Sequence, residues 1–422
     1  MKKDISIYIH IPFCVKKCAY CDFLSAPACD TTIEKYVDRL CEELRRYGEK
    51  YYDRRVITVF FGGGTPSLLS AAQITRIAET LKSSFDIDEQ AEISIECNPG
   101  TVSYEKLTTY KHIGINRLSI GLQSANDNEL RLLGRIHTYE QFLQTYNSAK
   151  DAGFDNINVD IMSALPGQTI ESYLATLKAV VDLQPKHISA YSLIIEDGTP
   201  FGKIYADMSL DTDSDTQTHK AEDKTIVDAI EYPSLPDEDS ERQMYYLTEK
   251  MLSEHGYHRY EISNYAYEEY ECKHNLVYWT GGDYIGVGLG ASSYVDGVRY
   301  KVTDNLDAYL KEQCVYGDGA TANVGCAGFE YEDIMPLSVE DKMEEYMITG
   351  LRLMRGVSKS KWRSIFGNDM SVIYGDVIEK YERLGLLETV EEKKDVFVRL
   401  TRHGIDVSNT VMADFLLDKT DE

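Results

Sequence analysis

The sequence predicts an α/β protein, an open (β/α)6 partial barrel followed by a C-terminal α+β module of winged-helix type. Three observations predict it. Between Ile5 and Leu193, short β-rich runs alternate six times with longer helical stretches, the rhythm of parallel strands with right-handed crossovers. Six units are fewer than the eight of a closed barrel, so the barrel is expected to stay open. Beyond Val339, three helical stretches precede a small β-rich run.

The first strand, Ile5 to Ile11, is apolar and ends at Pro12. Behind it Cys14, Cys18 and Cys21 stand at C-x3-C-x2-C spacing on a short loop. Three thiolates this close can hold three irons of a [4Fe-4S] cluster. The fourth iron is then open to an amine and a carboxylate, and S-adenosylmethionine carries both. A zinc site would want a fourth ligand and wider pair spacing. Three ordinary buried cysteines are the plainer alternative. Tyr20 is placed to lie against the adenine, and Lys16 and Lys17 read as solvated loop charges.

A helix from Thr31 to Tyr52 leads to the strand Val56 to Phe61, stopped by Gly62, Gly63, Gly64, Thr65 and Pro66. There follow helix Ala71 to Phe85, strand Glu92 to Cys97, helix Tyr104 to His112 and strand Arg117 to Leu122. Helix Tyr139 to Ala152, strand Asn156 to Ile161, helix Ile170 to Leu183 and strand His187 to Leu193 complete the series. Active sites of such barrels lie at the C-terminal ends of the strands. The chemistry-bearing residues fall there: Gly63, Gly64 and Thr65, then Glu96, Gln123 with Arg135 behind it, and Asp160. Glycines let a ligand approach the backbone closely. Carboxylates accept bonds from ribose hydroxyls, and an arginine forks onto a ligand carboxylate.

The remainder divides into an acidic insertion (206–238), an extension carrying HNLVYW (239–325) and the last module (326–422), after a barrel core of 1–205. The insertion, with TDSDTQTHKAEDKT, reads as a solvated segment and carries no assigned function. A helix from Glu241 to His255 opens the extension, and a turn-rich span, Cys314 to Met335, reads as a linker. The module reads as helices Val339 to Leu353, Lys359 to Phe366 and Met370 to Leu384, a β-rich Val396 to Leu400, and a closing helix. Glu340, Asp341, Glu344 and Glu345 in its first helix, and Glu391 and Glu392 near its wing, favour packing or partner binding over DNA.

The 422 residues suit a barrel plus a smaller module. A formal net charge of −26 repels phosphate backbones and argues against nucleic acid as the main partner. MKKDISI before Tyr8 holds no signal peptide, and no apolar run is long enough for a transmembrane segment. Cysteines without a targeting signal point to a reducing cytoplasm. Cys29, Cys41, Cys97, Cys272, Cys314 and Cys326 read as ordinary core or surface residues.

C-x3-C-x2-C at the end of a first strand resembles the radical S-adenosylmethionine superfamily. YIHIPFC, the following CDF and later blocks are similar to oxygen-independent coproporphyrinogen III oxidases and their HemW-like heme-chaperone relatives. The resemblance runs from about Ile5 to the C-terminus, interrupted by the acidic insertion. It implies the partial barrel, a [4Fe-4S] cluster on Cys14, Cys18 and Cys21, and S-adenosylmethionine contacts from Tyr8 and the strand-end residues named above. HNLVYW resembles a motif of the heme-chaperone branch, which implies heme contact by His274, with Tyr278 and Trp279 as flat apolar partners and Cys272 as the alternative ligand. Phe23 stands where the decarboxylase carries a further cysteine, and only seven residues precede Tyr8, where the decarboxylase carries a longer segment. Both departures favour the heme chaperone over the decarboxylase, and the negative charge disfavours an RNA-modifying radical enzyme. Reductive cleavage of S-adenosylmethionine is expected to be retained; coproporphyrinogen oxidation is not. Heme, a heme-acceptor protein and an electron donor for the cluster are the further expected partners.

Overall fold

The structure is a computed structural model that describes residues 2–206, 232–311, 325–326 and 328–417. Cys314 and most of the acidic insertion lie outside the described residues. Strand β1 (Lys3–Ile11) alternates strictly. Ile5, Ile7, Ile9 and Ile11 are buried in the main core, while Ser6, Tyr8 and His10 face the barrel lumen. Helix α1 (Asp30–Lys50) returns the chain to β2 (Arg54–Gly63). The alternation continues through α2 (Ala71–Ser84), β3 (Asp86–Cys97), α3 (Tyr104–His112) and β4 (Arg117–Gln123). A short α4 (Asp127–Leu132), which periodicity does not announce, precedes α5 (Tyr139–Asp151), β5 (Asn156–Ser163), α6 (Ile170–Asp182) and β6 (His187–Ser192). Side-chain and backbone capping boxes at Ser70/Gln73 and Thr138/Gln141 start α2 and α5. The six strands pair in sequence order, all parallel.

Helices α7 (Pro200–Ala206) and α8 (Glu238–Glu254) come next, and α8 is tied to α6 by a 2.5 Å bond between Thr248 and the Tyr173 hydroxyl. The extension then adds β7 (His258–Arg259), β8 (Asn264–Ala266), α9 (Lys273–Trp279), β9 (Tyr284–Val287), β10 (Ser292–Val295), β11 (Val298–Val302), α10 (Leu306–Leu310) and β12 (Tyr331–Pro336). These strands enlarge the expected six-stranded sheet to twelve, in the order β12-β11-β10-β9-β1-β2-β3-β4-β5-β6-β8-β7. β9 lies parallel to β1, and β8 antiparallel to β6. Both edges of the six-stranded core are therefore paired, which removes rows of open N–H and C=O groups. The strand β12 falls partly within the span that reads as a linker, and beyond the division placed at 325/326. It belongs to the large sheet because Val302 pairs with Tyr331 and Val298 with Pro336, a contact that leaves no local periodicity.

The last module runs α11 (Val339–Gly350), β13 (Val357–Ser358), α12 (Lys359–Phe366), α13 (Met370–Arg383), β14 (Leu387–Glu392), β15 (Asp395–Leu400), α14 (Arg402–Asp406) and α15 (Ser408–Ala413). Helix, strand, two helices and a hairpin, with β15 central in a three-stranded sheet, is the winged-helix order. It has its own core around Trp362, which packs on Phe366, Tyr346 and Tyr374. The module is fastened to the barrel by two bonds from Arg299 to Glu345, at 2.6 and 2.9 Å, and by the Met354 N–H on the Tyr260 carbonyl at 3.0 Å.

Trp362 is 0% exposed and its Nε1 donates to Asn368 at 3.0 Å. Trp362→Ala is expected to destabilise the module by about 3–5 kcal/mol. Urea unfolding followed by far-UV circular dichroism measures it.

Candidate functional site

The three cysteines are held from both sides of their loop. The loop returns at Ala26, whose backbone exchanges bonds with Pro12 and Cys14 at 3.0 and 3.2 Å. The Ala19 N–H reaches the Leu133 carbonyl at 3.0 Å, joining the loop to the segment behind α4. Cys14 is buried, Cys18 and Cys21 are half-buried, and burial pushes the thiols of Cys14 and Cys21 up. No three His, Cys, Asp or Glu side chains among the described residues converge on a single-ion site. A cubane does not ask for that, because each thiolate takes a separate iron.

Under the loop, the strand ends bring the other expected residues around one lumen. Gly63 has φ +115°, and a Cβ there would meet the His10 ring at 2.7 Å. Its N–H donates to Glu96 Oε2 at 3.1 Å. The Gly64 N–H is bonded to the Ile11 carbonyl at 2.9 Å, and a Cβ on Gly64 would lie 2.7 Å from the Phe13 carbonyl oxygen. Thr65 is buried and begins a short 3-10 turn, Pro66–Leu68. Gln123 has φ +72°, a left-handed conformation that L side chains rarely adopt, and its Oε1 accepts from the Tyr191 hydroxyl at 3.1 Å. Strain of this kind gathers at functional sites. Asp160 accepts from Asn158 Nδ2 at 2.7 Å and from Ser119 Oγ at 3.3 Å.

Arg135 links this lumen to the loop. Its Nη2 donates to Asn98 Oδ1 and to the Gly121 carbonyl, both at 2.7 Å, and its Nη1 lies 3.8 Å from Cys18 Sγ. Its Nε is buried with no partner, so one guanidinium N–H is left for a ligand. Tyr20 packs in a small cluster with Leu133, Met162 and Phe201, and burial holds its phenol well above the usual range. Tyr8 donates to His10 at 3.0 Å. The residues present therefore fit a cluster and S-adenosylmethionine: three thiols on one loop, a glycine backbone beside it, two carboxylates, an amide and an arginine with an unused donor. Asn98, Tyr191 and His10 complete the site without having been expected. His10 alone had a sequence signal, since it shares the lumen face with Tyr8 at i+2.

His274 is not part of this assembly. It sits toward the N-terminal ends of β2 to β4, 1% exposed. Its Nδ1 is 2.7 Å from Thr58 Oγ1 and its Nε2 2.8 Å from the Tyr278 hydroxyl. Thr58 donates onward to Ser6 at 2.7 Å, so the Nδ1–H donates to Thr58 and Nε2 accepts from Tyr278. Burial, with Arg117 adding, pushes the imidazole down to about 3. Both ring nitrogens carry a hydrogen bond. Cys272 is fully buried, burial pushes its thiol up to about 12, and its Sγ lies 3.6 Å from Glu92. A heme contact by either residue would replace these hydrogen bonds.

Burial pushes the Glu96 carboxyl up to about 8, with Asp160 adding and the Gly63 N–H and Arg117 opposing. An acid raised from 4.5 to about 8 takes up a proton on folding. Its contribution to stability is full below pH 4.5 and is lost as pH rises to about 8. Asp160, also raised by burial, acts in the same direction. Glu96→Gln is expected to flatten the loss of stability of the ligand-free protein between about pH 5 and 8, read from urea midpoints across that range.

Residues 8–180 match the Radical SAM superfamily, and residues 337–407 match the HemN C-terminal domain. The heme chaperone HemW of Lactococcus lactis is 32% identical, and the alignment covers 99% of both chains. That of Bacillus subtilis is 32% identical over 97% of this chain and 99% of its own. That of Escherichia coli is 31% identical over 98% of each. The solved structure of coproporphyrinogen III oxidase (HemN) from Escherichia coli, described as a radical SAM enzyme, superposes with a TM-score of 0.76 at 22% identity. It covers 98% of this chain and 90% of that one, which establishes the shared fold. Built from a thiol loop over a polar lumen and related end to end to these proteins, the chain belongs to the heme chaperone HemW family of the radical SAM superfamily.

Proposed function

We propose that this chain is a heme chaperone that holds a [4Fe-4S] cluster on Cys14, Cys18 and Cys21, binds S-adenosylmethionine in the lumen beneath it, and carries heme to acceptor proteins. The observation that carries the reading is relatedness over the whole length, with 99% of both chains aligned to the Lactococcus lactis heme chaperone. Cluster and S-adenosylmethionine together supply one-electron reduction of a sulfonium. The residues of this chain bind and orient. Arg135 holds the loop sulfur side of the site to Asn98 and the Gly121 carbonyl, Glu96 and Asp160 supply acceptors, and the apolar wall around Tyr20 excludes water.

Heme is assigned to the face where the strands end. Val15, Phe23, Leu24, Ile136 and Ile194 are exposed there, Phe23 by 67%. Exposed large apolar side chains on one face mark an interaction surface, and a flat macrocycle suits them. Phe23 is also the residue at the decarboxylase's extra cysteine position, so an apolar contact replaces a thiol. No helix among the described residues is long and apolar enough to cross a membrane.

Anaerobic reconstitution is expected to give about four irons per chain, and the Cys14, Cys18 and Cys21 triple alanine variant to lose them. In the reconstituted protein Arg135→Ala is expected to weaken S-adenosylmethionine binding by about 1.5–3 kcal/mol, read by titrating the EPR signal of the reduced cluster. Heme titration is expected to give one Soret-absorbing complex per chain, weakened by Phe23→Asp. Coproporphyrinogen III with S-adenosylmethionine and a reductant is expected to yield no protoporphyrinogen IX, measured by porphyrin fluorescence after oxidation.

A further inference from the structure

The HNLVYW helix is joined to the cysteine loop by a continuous ladder of rings through the barrel lumen. Tyr278 donates to His274 Nε2 at 2.8 Å. The His274 ring stacks on Phe60, centroids 5.2 Å apart and 25° between planes. Phe60 stacks on Tyr8 at 6.4 Å and 22°. The Tyr8 hydroxyl is 3.0 Å from His10 Nδ1, and His10 Nε2 is 2.9 Å from the Leu24 carbonyl on the cysteine loop. A carbonyl only accepts, so His10 carries its proton on Nε2, and Nδ1 must accept from Tyr8. Every rung thus has one orientation. Two glycines make room for the ladder: a Cβ on Gly62 would strike the Tyr8 ring at 2.9 Å, and one on Gly63 the His10 ring at 2.7 Å.

The far end is anchored independently. Glu92 accepts the backbone N–H groups of Lys273 and His274 at 3.2 and 3.1 Å, which fixes the start of α9. The guanidinium of Arg352, from the winged-helix module, lies 4.5 Å over the Trp279 ring at the other end of α9. The motif is therefore clamped between the barrel floor and the module, and its imidazole reaches inward rather than out.

We propose that His274 is a positioning residue for the cluster loop. Through Phe60, Tyr8 and His10 it fixes the Leu24 carbonyl and with it the return of the loop that carries Cys14, Cys18 and Cys21. Groups that orient metal ligands from behind are a general means of setting a metal site, and stacked aromatic pairs give such a support stiffness. This goes beyond the chaperone reading and does not depend on where heme binds.

The test uses the ligand-free protein first. Timed alkylation with iodoacetamide, read by mass spectrometry, reports the exposure of Cys14, Cys18 and Cys21. Cys29 is the internal standard: it is exposed, and hydrogen bonds from Thr31 and Thr32 bring its thiol down to about 7. His274→Gln and Phe60→Leu are expected to speed alkylation of the three loop thiols by about two- to tenfold, the opening that loss of an aromatic pair allows, with Cys29 unchanged. After reconstitution the same variants are expected to broaden the EPR signal of the reduced cluster and to alter its response to S-adenosylmethionine. Tyr8→Phe keeps the ring and removes only the bond to His10; it decides the matter if the other two fail to fold, and is expected to speed loop alkylation as well. Wild-type alkylation rates in folded variants overturn the proposal. So does a His274→Gln protein that loses the heme Soret band while its loop thiols react at wild-type rates, which would leave His274 serving heme alone.

Discussion

Strand β1 pairs with β2 on one side and β9 on the other, both parallel, and the rest of the molecule depends on that register. Ile11 is opposite Gly63, so the cysteine loop and the glycine turn leave the sheet at one level. Tyr8 is opposite both Phe60 and Gly286. A shift of one residue would turn Tyr8 and His10 outward under the helices and bring isoleucines into the lumen. The isoleucine set buried beneath the helices is what forbids that slip.

Within this frame the lumen concentrates charge that the surface does not reveal. The chain is strongly acidic overall, yet Arg117 is buried at the barrel floor and Arg135 spans the site at the top. The two carboxylates between them, Glu96 and Asp160, are both held up by burial. Desolvation makes these groups costly to ionise alone and responsive to a charged ligand. Hydrogen bonds from Gly63, Asn158 and Ser119 hold them in place meanwhile.

The extension lengthens the sheet at both edges and braces the cysteine loop. Glu43 of α1 accepts the Gly288 N–H at 2.9 Å, and the Tyr36 hydroxyl donates to the His10 carbonyl at 2.8 Å. Gly290 packs on Leu24 so closely that a Cβ would come within 2.4 Å. The turn after β9 thus backs the cysteine loop from outside, while the ring ladder meets it from the lumen. The winged-helix module reaches the same structure through Arg352 and Trp279.

Much of this was legible in the residues. Six parallel strands follow from alternation that each segment carries locally, and the cluster loop from the spacing of three cysteines. Gly63, Glu96, Gln123, Arg135 and Asp160 come around one lumen because a parallel barrel places strand ends on one face. The winged-helix order was readable from three amphipathic helices and a hairpin. Other features were not. β7 to β12 are two to six residues long, too short for a period to develop, and they exist because distant partners complete their hydrogen bonds. The hydrogen-bond partners of His274 were not legible for the same reason. HNLVYW names an imidazole and two aromatic rings, but only the folded chain decides that Thr58 and Tyr278 occupy both nitrogens. Local pattern determined which elements form and which residues stand at their ends; tertiary hydrogen bonding decided which side chains remain free to meet a ligand.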